Sequence, residues 1–368
     1  MGNMKTAKIS PFFHDKPLFG MEIGHGSIKV MQLAEKPAKV PAQYRPRLQG
    51  YGFTAFDLTS QKDGVIVKPE IVAKAAHDLF QNRLVGDITT RRVAIAIPTY
   101  RAYTRALQLP TKLQAKELAE AVQLEAEQYI PLSLEELYLD YEVIKRGKNT
   151  TELFAVAVPR TIVDSYLELA QILGLEAVLI EPTLSSSGRL FSLDDQSDVP
   201  AIIINLGSVS SDISIFDKHV LVTGTVKGGG EDFTRSIADK LGVDQREAAA
   251  IKTRDGLSKS DRQADIRAAL EPTLQEIIRE IRRMMRYYEE RYGTERPIAQ
   301  VITLGGGANI PGLDDYLIET MQLAVRHSDP WQYFDPFGLQ SPAVADRPMY
   351  ATAAGLSLAN PKEVFQHD

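Results

Sequence analysis

The sequence predicts an α/β fold built twice, with two lobes and a ligand held between them. Two stretches carry this reading. In residues 18–33 a strand runs through Ile23, Gly24 turns the chain beside the small residues Gly26 and Ser27, and a second strand covers 28–33. The plan returns at 201–216: four consecutive apolar residues (201–204), a turn at Gly207, the small polar residues Ser208, Ser210 and Ser211, then an apolar run at 213–216. A glycine without a Cβ, next to hydroxyls and free backbone N–H groups, makes a cradle for an anion such as phosphate. Each turn also carries a polar residue two positions before its glycine, Glu22 and Asn205. Either hairpin alone reads more readily as an ordinary turn in a mixed sheet. Their recurrence, one opening each half of the chain, points to duplication around a shared cleft.

Composition sets the remaining bounds. A chain of 368 residues suits two domains or one bilobal unit, and 44% hydrophobic with 24% charged residues is ordinary for a globular protein with a full core. The net charge of −6, with no long basic block, argues against nucleic acid as a partner. The absence of cysteine excludes disulfides and thiolate metal sites, and the six histidines lack the spacing of a metal site. No apolar run approaches the ~20 residues that span a bilayer, and the first residues lack the apolar core of a signal peptide, so the expected location is the cytoplasm. Met1, Gly2 and Thr6 fit the myristoylation pattern, a short one that matches often by chance.

Taken in order, residues 1–17 read as a loose leader with Pro11 and Pro17. After the first hairpin, Pro37, Pro41 and Pro46 mark 36–47 as a loop. A strand follows near 48–56, and a helix at 69–83 places Ile71, Val72, Ala75, Ala76, Leu79 and Phe80 at helical spacing behind Pro69. A short buried strand at 93–97 stops at Pro98. Residues 99–180 read as a separate β-α-β-β-α-β module: strand 103–109, helix 114–128, strands 137–144 and 153–158, helix 161–173 capped by Gly174, strand 177–180. Residues 183–190 lead through a polar loop at 194–198 into the second hairpin.

Beyond it, a strand at 220–226 enters three glycines, Gly228, Gly229 and Gly230, and a helix near Asp232 aims its N-terminus at the expected ligand. A second helix covers 244–253. The strongest helical pattern is 273–291, where Leu274, Ile277, Ile278, Ile281, Met284, Met285 and Tyr288 make one apolar face. At 301–317 a strand, the triplet Gly305, Gly306, Gly307 and a helix follow one another, again compatible with close approach of a nucleotide. Residues 326–348, rich in proline and aromatics, read as irregular, and a short helix covers 351–358.

This ordered set resembles the actin-like ATPase superfamily, which includes the chaperone ATPase domain, the division protein FtsA and the PilM family of type IV pilus proteins. Residues 125–144 (EAEQYIPLSLEELYLDYEVI), EIRRMMRYYEERY, GGGANIPGL and YATAAGLSLA are similar to the PilM family in particular. The resemblance spans about Leu18 to Ala359. It implies an actin-like, ribonuclease H-like duplicated bilobal fold with the module as an inserted subdomain: first-lobe core 18–98 and 181–200, insert 99–180, second-lobe core 201–228 and 297–359, a further subdomain 229–296, and a tail 360–368.

For function, the resemblance implies an ATP-binding cytoplasmic adaptor. It would dock the N-terminal cytoplasmic peptide of the inner-membrane protein PilN in a groove involving the insert, and link other pilus platform and motor proteins while peripheral to the inner membrane. Carried across residue by residue, it assigns Gly24, Gly26, Ser27 and Lys29 to the first phosphate turn and Gly207, Ser208 and Ser210 to the second. Gly229 and Gly230 fall on the following turn, Lys252, Glu280 and Arg283 on the adenosine side, and Gly305, Gly306 and Gly307 on the last motif. Mg²⁺ would be held through water near Glu22 and Asn205 and by phosphate oxygens. Members that hydrolyse ATP usually place aspartate at both of those positions; Asn205 can be neither anion nor base, so slow or absent turnover is expected. Ala249 and Met284 stand where the family often has glutamate and serine. Three other readings stay open: an active ATPase or kinase, an FtsA-like membrane-associated filament protein, whose amphipathic tail residues 360–368 are too short and polar to supply, and a type II secretion platform homologue.

Overall fold

A computed structural model describes residues 17–35, 45–194 and 198–359. The leader up to residue 16, most of the expected loop 36–47, the middle of the loop 194–198 and the tail 360–368 lie outside the described residues.

Two sheets share one strand order. In the first, Leu48–Ala55, Ser27–Leu33 and Phe19–Ile23 form an antiparallel meander, followed in parallel by Arg92–Ile97 and Glu176–Pro182; Leu84–Gly86 extends the meander edge. In the second, His219–Lys227, Ser210–Asp217 and Ala201–Leu206 form the meander, followed in parallel by Gln300–Leu304 and Ala324–His327. The duplication expected from the two hairpins is therefore present in the complete sheets.

Period-two alternation explains why the strand Ala201–Leu206 is buried on both faces. Ile202, Ile204 and Leu206 enter the core beneath the helices Gly230–Leu241, Gln245–Arg254 and Gln263–Tyr292, while Ala201 and Ile203 enter a different core between the lobes. In the first lobe Phe19, Met21 and Ile23 pack under Pro69–Asn82 and Arg160–Ile172.

The helix Gln263–Tyr292 starts ten residues earlier than its pattern predicts. Pro272 lies inside it, and burial of Ile266 and Leu270 holds the preceding turns despite the lost hydrogen bond. The expected module at 99–180 divides differently. Its six elements occur in the expected order, but only Tyr103–Pro110, Leu137–Arg146 and Thr150–Pro159 form the separate sheet, covered by Ala115–Tyr129 through Leu118 and Val122. The helix Arg160–Ile172 buries Ile162, Tyr166 and Leu169 against the first sheet, and Glu176–Pro182 pairs in parallel with Arg92–Ile97. The small sheet is thus spliced into a β-α-β crossover, whose helix must return to the parent sheet for the parallel strand to pair.

The segment 326–348 is not wholly irregular. Arg326 and His327 complete the strand Ala324–His327. Trp331 and Phe334 pack with Tyr51 and Tyr350 in the interlobe core, where Tyr51, Trp331 and Tyr350 make mutual edge contacts at 5.2–5.5 Å. The helices Thr183–Phe191 and Ala351–Ser357 cross there at backbone contact, and a Cβ on Gly355 would stand 1.8 Å from the Ser186 carbonyl oxygen. Arg189 reinforces the crossing, donating to both Glu181 carboxylate oxygens at 2.6 and 2.8 Å and to the Gly355 carbonyl at 3.1 Å. Among the described residues no helix is long and apolar enough to cross a membrane.

Gly355→Val is expected to lower stability by about 3 kcal/mol through overpacking against immobile backbone. A urea midpoint equal to that of the parent chain would contradict the contact.

Candidate functional site

The two turns close alike: the Gly24 N–H donates to the Ser27 carbonyl at 2.8 Å and the Gly207 N–H to the Ser210 carbonyl at 3.0 Å. Both face one cleft of about 430 Å³ between the lobes, within the size range of small-molecule sites. Ser27, Lys29, Ser208, Ser210, Gly230, Lys252 and the triplet Gly305, Gly306, Gly307 line the same cleft, as do Glu22 and Asn205. Most of the expected site is thereby assembled in one place.

Glycine is required at Gly305, which has φ +83° and where a Cβ would meet Asn205 Oδ1 at 2.5 Å. Gly306 differs, since a Cβ there meets nothing within 4 Å and looks into the cleft. Gly26 and Gly229 act at one remove. Gly26 seats the first turn against Leu58, and Gly229 lets the helix start approach the second turn, so that the Gly230 N–H reaches the Gly207 carbonyl at 2.9 Å.

Two expected residues lie elsewhere. Glu280 and Arg283 pair with each other at 2.5 Å and line a separate groove with Thr225, Val226 and Lys227. The long helix presents that face to the strand His219–Lys227, where a Cβ on Gly224 would meet Glu280 Oε1 at 2.4 Å. Met284 is buried beside them in the second-lobe core rather than in the cleft.

Charge in the cleft is mostly internal. Lys29 Nζ donates to Glu22 Oε1 at 3.2 Å, while Glu22 Oε2 is buried without a hydrogen-bond partner. Lys252 Nζ donates to the Gly230 carbonyl and to Thr234 Oγ1, both at 2.7 Å, and burial pulls its pKa below the usual lysine value. His25 Nε2 and Glu231 Oε1 approach to 3.7 Å across the two turns.

Asp212 was not anticipated. It faces Asn205 across the hairpin, lines the cleft, accepts from Thr225 Oγ1 at 2.7 Å, and is pushed up to a pKa of about 7 by burial, with the threonine hydrogen bond opposing. The available signal was an acidic residue between the turn serines and the apolar run 213–216. Among the described residues no cluster of three or more histidine, aspartate or glutamate side chains is placed to hold a metal directly.

Two lobes of matching strand order, each offering a glycine turn to a common cleft, define the actin-like ATPase fold class. Solved structures agree. The chain is similar to ethanolamine utilization protein EutJ from Carboxydothermus hydrogenoformans (15% identity, 92% of this chain and 88% of that one, TM-score 0.53) and to MreB5 of Spiroplasma citri bound to AMPPNP (14%, 96% of each chain, TM-score 0.52). It is also similar to a chain of the PilM-PilN type IV pilus biogenesis complex, at 23% identity over 94% of this chain and 98% of that one, with TM-score 0.79. The family model for type IV pilus assembly protein PilM matches residues 20–360, and the chain belongs to that family.

Because the folded pKa of Asp212 exceeds its unfolded value, the native state holds this proton where the unfolded state has released it. Its contribution to stability is therefore full at acid pH and is lost as pH rises from about 4 to about 7. Asp212→Asn keeps an acceptor for Thr225 and removes the buried charge. It is expected to raise stability at pH 8 by about 2 kcal/mol and to flatten that slope, as read by urea unfolding across pH; parallel profiles for the two proteins would contradict it.

Proposed function

We propose that this chain is an ATP-binding adaptor of type IV pilus assembly, which docks the N-terminal cytoplasmic peptide of a PilN protein and is thereby held at the inner membrane. One observation carries the reading: a chain of the PilM family places both glycine turns and the late glycine triplet around one cleft. The residues present fit a nucleotide. The turns Gly24 to Ser27 and Gly207 to Ser210, with the hydroxyls of Ser27 and Ser210, line space suited to phosphates, and the buried, unpartnered Glu22 Oε2 fits a water of a hydrated Mg²⁺. Mg²⁺ would supply charge neutralisation for the phosphates when bound.

Slow or absent turnover follows from the side chains. Asn205 is neutral and the Glu22 carboxylate is shared with Lys29, so neither of the two positions beside the turn glycines offers a free carboxylate to orient water. The docking half of the reading is supported by the small sheet, whose strand Leu137–Arg146 pairs on one side only with Thr150–Pro159 and so leaves an edge for an extended peptide. Linkage to other platform and motor proteins belongs to the same proposal.

Gly306→Leu starts its side chain from open space at the cleft lining, so calorimetric ATP affinity should fall by about tenfold or more with the urea midpoint retained. Unchanged affinity would place the nucleotide elsewhere. Adding the PilN peptide should slow amide hydrogen exchange in 137–146; binding that leaves this strand unprotected would rule out its edge as the dock.

A further inference from the structure

The groove that holds Glu280 and Arg283 has no part in the proposed nucleotide site. It measures about 540 Å³ and runs between the long helix Gln263–Tyr292 and the end of the strand His219–Lys227. Five cationic side chains line it, Lys227, Arg279, Arg282, Arg283 and Arg286, against two acidic ones, Glu276 and Glu280. In a protein of net charge −6, so local an excess of positive charge is a binding surface in search of an anion.

The acidic pair does not neutralise it. Glu280 is occupied by Arg283, and Glu276 lies 3.7 Å from exposed Arg279. Arg282 turns partly away, donating to the Thr320 carbonyl at 3.2 Å. Among the described residues Lys227 and Arg286 have neither an acidic nor a hydrogen-bond partner, and both are exposed.

We propose that this groove docks an extended acidic segment of a partner protein, at a site separate from the nucleotide cleft and from the edge of the small sheet. Arg279, Arg283 and Arg286 follow one another at i, i+4 and i+7, which sets neighbouring guanidinium stems about 5–6 Å apart. Carboxylates on alternate residues of an extended chain recur at about 6.6 Å, a close match. The helix stretch 276–286 spans about 15 Å, the length of roughly five extended residues.

Main-chain chemistry selects a peptide over other polyanions. His219–Lys227 is the outer strand of its sheet; Thr223 meets Thr104 of the small sheet, and past that contact Thr225, Val226 and Lys227 border the groove, where edge N–H and C=O groups can pair with another extended chain. A phosphodiester backbone offers no donors for those carbonyls. Glu276 and Glu280 would also repel a continuous run of phosphates, and no aromatic ring lines the groove to stack on bases.

The test uses the full chain and a fluorescein-labelled peptide of alternating glutamate and valine, about eight residues long, followed by anisotropy at low salt. It should bind at least about tenfold more tightly than the glutamine-valine peptide, and Arg279→Glu with Arg286→Glu should abolish that preference. Lys227→Glu, on the strand side, should weaken binding in the same direction, and the urea midpoints of all variants should stay at the parent value. Equal affinity for the two peptides, no binding, or binding untouched by these charge reversals would overturn the proposal. So would tighter association with oligothymidylate or phosphatidylglycerol vesicles than with the acidic peptide, because the surface would then serve a nucleic acid or a membrane.

Discussion

The whole structure depends on main chain meeting main chain where the two halves join. Gly355 lies against the Ser186 backbone and Gly20 against the Ala353 carbonyl, both at a separation that leaves no room for a Cβ. Close-packed interiors do not yield to backbone collisions as they do to flexible side-chain ends. These contacts set the spacing of the lobes, and the spacing in turn sets the width of the cleft into which both turns open. The aromatic plug of Tyr51, Trp331 and Tyr350 fills the adjoining interlobe core and reinforces the same geometry through burial.

Much of the fold was legible because its repeating units are short and strongly patterned. Apolar runs closed by glycine identified both hairpins, and the structure adds that their turns share the spacing Gly-x-x-Ser, with the same closing hydrogen bond, at Gly24 to Ser27 and Gly207 to Ser210. The partition of residues 99–180 was not legible. An apolar helix stripe records that a helix is covered, not which sheet covers it, and Ile162, Tyr166 and Leu169 turn out to serve the first lobe. Pro272 hid the first ten residues of the long helix, and the prolines of 326–348 hid a segment that buries Trp331 and Phe334.

The site divides along the same line. Most of the turn residues line one cleft because a turn has one concave side, while Gly26 and Gly229 lie behind it. Glu280 and Arg283 fall outside that cleft, since correspondence along a helix does not tell which way a face points, and theirs borders the strand His219–Lys227. Asp212 escaped notice between the turn serines and the apolar run 213–216, although burial pushes its carboxyl up to about 7. Thr225 links the two regions, donating to Asp212 from a strand that also borders the basic groove.

The central claim is that both glycine turns grip one nucleotide. The most direct measurement is a crystal structure of the chain grown with AMPPNP and Mg²⁺. The account predicts phosphate oxygens within hydrogen-bond distance of the Gly24 and Gly207 turns in the same molecule, and a hydrated metal facing Glu22. Phosphates seated on one turn alone, or in the groove beside Arg283, would contradict it.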